Sequence, residues 1–104
     1  MSAEKLPELR GKQRRYLKGL ANGIKPVVFA GKEGVSAGLI AAIEAAFNNR
    51  ELIKIRLEQN CPLDRHQIGP ILAAQSRAHL IQTLGRTILL YRPDPDEPQL
   101  QLPA

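Results

Sequence analysis

The run Lys25-Pro26-Val27-Val28-Phe29-Ala30-Gly31-Lys32-Glu33-Gly34-Val35-Ser36 decides the fold class. A proline after Lys25 forces an extended entry. Val27-Val28-Phe29-Ala30 is short, apolar and rich in β-branched residues, and reads as a buried strand. Gly31-Lys32-Glu33-Gly34 breaks it, and Ser36 is placed to cap a helix. That helix carries Leu39, Ile40, Ile43, Ala46 and Phe47 on a broad apolar face, leaves Glu44 outside it, and stops at Asn48-Asn49.

Upstream, Leu9, Tyr16, Leu17, Leu20 and Ala21 fall on one helical stripe, while Lys12, Arg14, Arg15 and Lys18 cover the rest. Asn22-Gly23 is a helix stop, because both residues tolerate the left-handed conformation. Residues 1–8 are polar, interrupted by Pro7, and expected to be a flexible N-terminus. Downstream, Leu52 to Leu57 alternates, with Ile53, Ile55 and Leu57 on one side and Lys54 and Arg56 on the other. This is a half-buried strand with a basic outer face. A loop with Cys61-Pro62 follows, and Asp64 with Gln67 forms a capping-box pattern before a helix carrying Ile68, Ile71 and Leu72. Pro70 either kinks that helix or marks the first position of its regular part. Leu80–Leu84 and Thr87–Tyr91 are strand-like runs joined by Gly85-Arg86, which implies a tight antiparallel hairpin. The order α-β-α-β-α-β-β defines an α/β class: one domain over residues 9–93, with three helices on a mixed four-stranded sheet. Residues 94–104, with Asp94, Asp96, Glu97 and repeated prolines, are expected to be a flexible acidic tail.

A chain of 104 residues leaves room for one domain. It has no apolar run long enough to span a membrane and no apolar N-terminal signal, and Cys61 alone excludes an internal disulfide. These features point to a cytoplasmic protein without a membrane partner. The net charge is +5 and the sequence pI about 9.8, the electrostatic footprint of a polyanion binder. The surplus is local: residues 1–57 hold eleven basic and five acidic side chains, residues 58–104 four and five.

Between a strand and a helix, Gly31 and Gly34 let a phosphate backbone approach closely. The next helix presents unpaired amides and a positive dipole end, and Lys32 adds a counter-charge. The turn is not the phosphate loop of nucleotide hydrolases, which needs a glycine where Pro26 stands and Ser or Thr where Glu33 stands, so that route to nucleotide hydrolysis is not expected.

Leu9-Arg10-Gly11-Lys12-Gln13-Arg14-Arg15-Tyr16-Leu17-Lys18-Gly19-Leu20-Ala21, then Lys25-Pro26-Val27-Val28 and Gly31-Lys32-Glu33-Gly34-Val35, together resemble the CRM domain (chloroplast RNA splicing and ribosome maturation). Its bacterial stand-alone members are the YhbY-type proteins. The resemblance continues through Glu51-Leu52-Ile53-Lys54-Ile55 and ends in Leu84-Gly85-Arg86-Thr87-Ile88-Leu89-Leu90-Tyr91-Arg92-Pro93. It implies a fold like the C-terminal domain of translation initiation factor 3. It also implies RNA binding through Gly31, Lys32, Glu33 and Gly34, as in KH domains, where such a loop clamps the nucleotide backbone, and a partner in ribosomal RNA of precursor large ribosomal subunits. Where many relatives carry Thr-Gly after the third helix, this chain has Ser76-Arg77.

Around that loop, Lys12, Arg14, Arg15, Lys18 and Lys25 are candidate RNA contacts, with Lys54, Arg56 and Arg86 beside them. Lys54 and Arg56 have a second reading, with their stems packed under a helix and only their charges reaching out. Tyr16, Phe29, Phe47 and Tyr91 all fall on apolar faces and are expected in the core, which argues against an aromatic stacking platform. His66, His79 and Cys61 lie in different elements and imply no metal, and nothing implies a cofactor. No nucleophile–base pair is evident, since Ser36 is a cap and Asp64 another, so no catalysis is expected. The sequence therefore describes a non-catalytic RNA-binding protein, expected to be monomeric when free. The alternative is an interaction module that docks the same basic face on an acidic ribosomal or assembly-factor partner.

Overall fold

The computed structural model describes residues 6–104; the expected N-terminal flexibility falls largely on residues outside that range. Helix α1 spans Gly11–Leu20 and tightens into a 3₁₀ turn at Ala21–Gly23. Strand β1 is Val28–Ala30, α2 Ala37–Phe47, β2 Leu52–Leu57, α3 Arg65–Ser76, β3 His79–Leu84 and β4 Thr87–Tyr91. The sheet order is β1-β2-β4-β3, with β1 parallel to β2 and the other pairs antiparallel. The mixed sheet and three helices are those expected.

Alternation along the strands creates two cores, one on each face of the sheet. Val28, Ala30, Ile53, Ile55, Leu57, Ile88 and Leu90 pack with Leu39, Ile43 and Phe47 of α2 and Ile68 and Leu72 of α3. On the other face a smaller cluster joins Leu17 and Ala21 to Leu52, Ile81, Leu89 and Tyr91. Beside it, His79 stacks on Tyr91 with centroids 6.1 Å apart. Burial and the Arg14 charge hold the His79 imidazole below its ordinary pKa.

Local chemistry explains the helix ends. The Ser36 side chain accepts from the Leu39 N–H, and Asp64 and Gln67 complete the capping box at α3. That box starts α3 five residues before Pro70, so the helix runs through the proline. The cost is one backbone donor, the one the His66 carbonyl would otherwise receive. The stop of α1 differs from the left-handed cap that Asn22-Gly23 suggests. Among the described residues the positive-φ positions are Gly34, Arg77 and Gly85, and the Ala21 carbonyl receives the Lys54 ammonium instead, at 2.8 Å. A cation there also meets the negative end of the helix dipole.

The C-terminal segment is not the free tail its composition suggests. Leu100 and Leu102 pack against the α1-side core, and the Pro103 carbonyl accepts from the Gln13 side chain. The buried Glu51 carboxylate accepts from the N–H groups of Asp94, Gln99 and Leu100. Two leucines and one acceptor-rich carboxylate offset the ordering cost of the prolines and acids between them.

Arg77 closes α3 at φ 54°, ψ 51°, the left-handed backbone that glycine prefers. An L-residue there costs about 1–2 kcal/mol, partly offset by the greater unfolded-state freedom of glycine. Arg77→Gly is therefore expected to stabilise the protein by about 0.5–1 kcal/mol. Thermal melting checks this, and an unchanged or lower Tm counts against strain at this turn.

Candidate nucleic-acid interface

Strands β1 and β2 run side by side toward one end of the sheet, where three connections meet. The Gly31–Gly34 turn leaves β1, the segment 58–63 leaves β2, and the Gly85-Arg86 hairpin joins β3 to β4. Hydrogen bonds tie them together. The Glu58 N–H donates to the Ala30 carbonyl at 2.8 Å and the Leu57 N–H to the Arg86 carbonyl at 2.7 Å. Arg65 donates to the Gly85 carbonyl at 2.9 Å.

Within the turn, the Gly34 N–H donates to the Gly31 carbonyl at 3.0 Å. Gly34 takes φ +63° and lies buried beneath Pro62, whose Cγ would stand 3.3 Å from an added Cβ. Lys32 and Glu33 project at the exposed tip. The α2 N-terminus follows directly, with Ala37 and Gly38 exposed and no acidic residue in its first turn. Turn, β1 and the start of α2 enclose an open cleft of about 400 Å³. Positive dipole, lysine tip and small side chains make this an anion-receptive edge.

The nine candidate cations fall into distinct groups. Lys32, Arg56 and Arg86 are exposed at the loop end of the sheet, and Arg56 is the register partner of both Phe29 and Thr87. Lys12, Arg15 and Lys18 are exposed on α1, which packs over Leu52 and Tyr91, at the opposite end of β2. Lys25 is exposed on the connection between α1 and β1. Arg14 and Lys54 are occupied elsewhere. Arg14 donates to the Leu80 carbonyl at 3.0 Å, and Lys54 to the Ala21 carbonyl, so both fasten α1 to the sheet.

The aromatic expectation is half corrected. Phe47 and Tyr91 are buried, but Tyr16 is 39% exposed and Phe29 is 55% exposed. Tyr16 sits one residue off the buried Leu17 position of α1. Phe29 lies on an edge strand, on the face that α1 leaves uncovered at the loop end. A strongly apolar run hides this, because an edge position is set by strand order and not by the run itself.

The chain belongs to the CRS1 / YhbY (CRM) domain family, whose model matches residues 9–92. It is 40% identical over 95 residues to the Bacillus subtilis protein named Probable RNA-binding protein YqeI, covering 91% of this chain and 99% of that one. An RNA-binding protein of Haemophilus influenzae is 38% identical over 95 residues, covering 91% and 95%. The solution structure of SAV1595 from Staphylococcus aureus superposes with a TM-score of 0.78 at 36% identity, covering 92% of this chain and all of that one. No helix among the described residues is long and apolar enough to cross a membrane. No cluster of His, Cys, Asp or Glu suited to a metal ion is present among them.

Proposed function

We propose that this chain is a non-catalytic RNA-binding protein that docks on ribosomal RNA of precursor large subunits and assists their assembly. The observation that carries the RNA part is the Gly31–Gly34 turn. It holds Lys32 at an exposed tip, beside the α2 N-terminus and at the same sheet end as Arg56 and Arg86. The ribosomal part rests on the family's implied role. Phosphate contacts at the turn position the RNA without reading its sequence, so specificity comes chiefly from RNA shape. The cations of α1 supply a second, electrostatic contact along the same backbone. Ser36, the hydroxyl that follows the turn in sequence, is committed to its helix cap.

Two measurements test this. Neutralising about four to six phosphates makes log affinity fall against log salt with a slope of about −3 to −5. Fluorescence anisotropy on a ribosomal RNA fragment reads it, and a slope near zero removes electrostatic docking. Lys32→Ala is expected to weaken binding about fivefold and flatten the slope by about 0.7–0.9, for one lost phosphate contact. Stability should change by no more than about 0.5 kcal/mol, because the side chain is exposed. A large drop in Tm would make Lys32 structural.

A further inference from the structure

The face of the sheet opposite α2 and α3 is only half covered. Helix α1 and the C-terminal segment close the end bearing Leu52, Leu89 and Tyr91. At the loop end one cross-sheet row stays uncovered: Phe29 of β1, Arg56 of β2, Thr87 of β4 and Leu84 of β3 are successive register partners. Phe29 is 55% and Leu84 64% exposed, Arg56 is exposed, and Thr87 is half-buried. The row contains no acidic residue. Phe29 is also the residue two before Gly31, and it lines the cleft beside the turn.

We propose that this row is a nucleobase platform: an unpaired RNA base stacks on the Phe29 ring, while Arg56 takes a phosphate of the same strand. This rests on the RNA-binding reading above and specifies its ligand, RNA with an unpaired nucleotide next to the segment held by Gly31–Gly34. The choice of RNA over an apolar protein segment follows from charge. The ring is flanked across the sheet by Arg56, and Lys32 and Arg86 lie at the same end, three cations against the two acids Glu33 and Glu58. A stacked base always brings phosphates, and those cations receive them. One aromatic face beside cationic side chains is the combination a sequence-tolerant single-strand contact uses. A backbone clamp alone binds duplex and single strand by charge. The platform gives the protein a reason to select junctions, bulges and loops of a structured RNA.

The test uses two labelled RNAs, a fully paired hairpin and the same hairpin with an unpaired flank, each titrated with the whole protein. Phe29→Leu keeps an apolar side chain but removes the ring. It is expected to weaken binding of the flanked RNA about 5- to 100-fold, the worth of one base–aromatic stack, and to leave the paired hairpin within about twofold of wild type. Phe29→Tyr retains the ring and is expected to bind like wild type. In wild-type protein labelled with fluorophenylalanine, Phe29 and Phe47 give two signals; the Phe29 signal should shift on adding the flanked RNA and the buried Phe47 signal should not. A Leu variant that binds the flanked RNA like wild type, an equal loss on both RNAs, or a silent Phe29 signal overturns the platform while leaving RNA binding standing. A wild-type protein that binds neither RNA at low salt overturns RNA binding itself, and the platform with it.

Discussion

Gly34→Ala is expected to destabilise the protein by about 2 kcal/mol, and Gly34→Asp by at least as much. Two effects add. At φ +63° an L-residue costs about 1–2 kcal/mol. The new Cβ also stands 3.3 Å from Pro62 Cγ, closer than comfortable packing, so the Pro62 ring must give way slightly. The lower unfolded-state entropy of the variant returns part of this. Sequence alone suggests that a Cβ here blocks an approaching phosphate. The structure turns it inward, toward Pro62, so its steric effect acts through the turn. Gly31→Ala is the contrasting case: its Cβ meets only Asn60 Oδ1, at 3.6 Å, so folding should change little. Urea denaturation separates the two glycines, and equal midpoints for Gly34→Ala and wild type would exclude strain at this position. Measured on protein shown to be folded, Gly34→Asp should still lose more RNA affinity than Lys32→Ala. It distorts the turn that presents Lys32 and places a carboxylate beneath the phosphate path.

The element order is legible because each element announces itself locally. Leu17 and Ala21 keep helical spacing, Ile53, Ile55 and Leu57 keep a period of two, Ser36 and Asp64 cap, and Gly85 turns a hairpin at φ +59°. Strand order carries no such local mark. That β1 is an edge and β2 central depends on which strand pairs where, and on this depends whether Phe29 is core or surface. The same holds for cations. Arg14 and Lys54 have the composition of a phosphate-binding face, yet each is held by a carbonyl 66 or 33 residues away, a partner that no periodicity points to. The Gly31–Gly34 turn was readable from its glycines and from the family pattern. Its packing beneath Pro62 was not, because the loop supplying Pro62 follows a separate strand.

The C-terminal segment offers the second large effect. Glu51→Ala is expected to cost about 2–3 kcal/mol, and removal of residues 99–104 a similar amount. Glu51 is 4% exposed, and its carboxylate accepts three backbone N–H groups, two of them from Gln99 and Leu100. Hydrogen bonds to a charged acceptor are worth about 1.5–3 kcal/mol each, but the three losses do not simply add. Once the acceptor is gone the segment can lift away and give its amides to water, so the total is capped by the free energy of docking Leu100 and Leu102. The two changes therefore remove one shared interaction, and the double variant should be less stable than the worse single by no more than about 0.5 kcal/mol. Full additivity would show that segment and carboxylate act independently. The segment also reaches α1, through Leu100 and Leu102 against the Leu17 cluster and through the bond from Gln13 to Pro103. Truncation should thus loosen the helix that carries Lys12, Arg15 and Lys18 while leaving the Gly31–Gly34 turn in place. RNA affinity should fall with a smaller salt slope, whereas the further loss caused by Lys32→Ala should match that in the full-length protein. A truncated protein with unchanged affinity and slope would show that the α1 cations do not need the C-terminal segment to meet RNA.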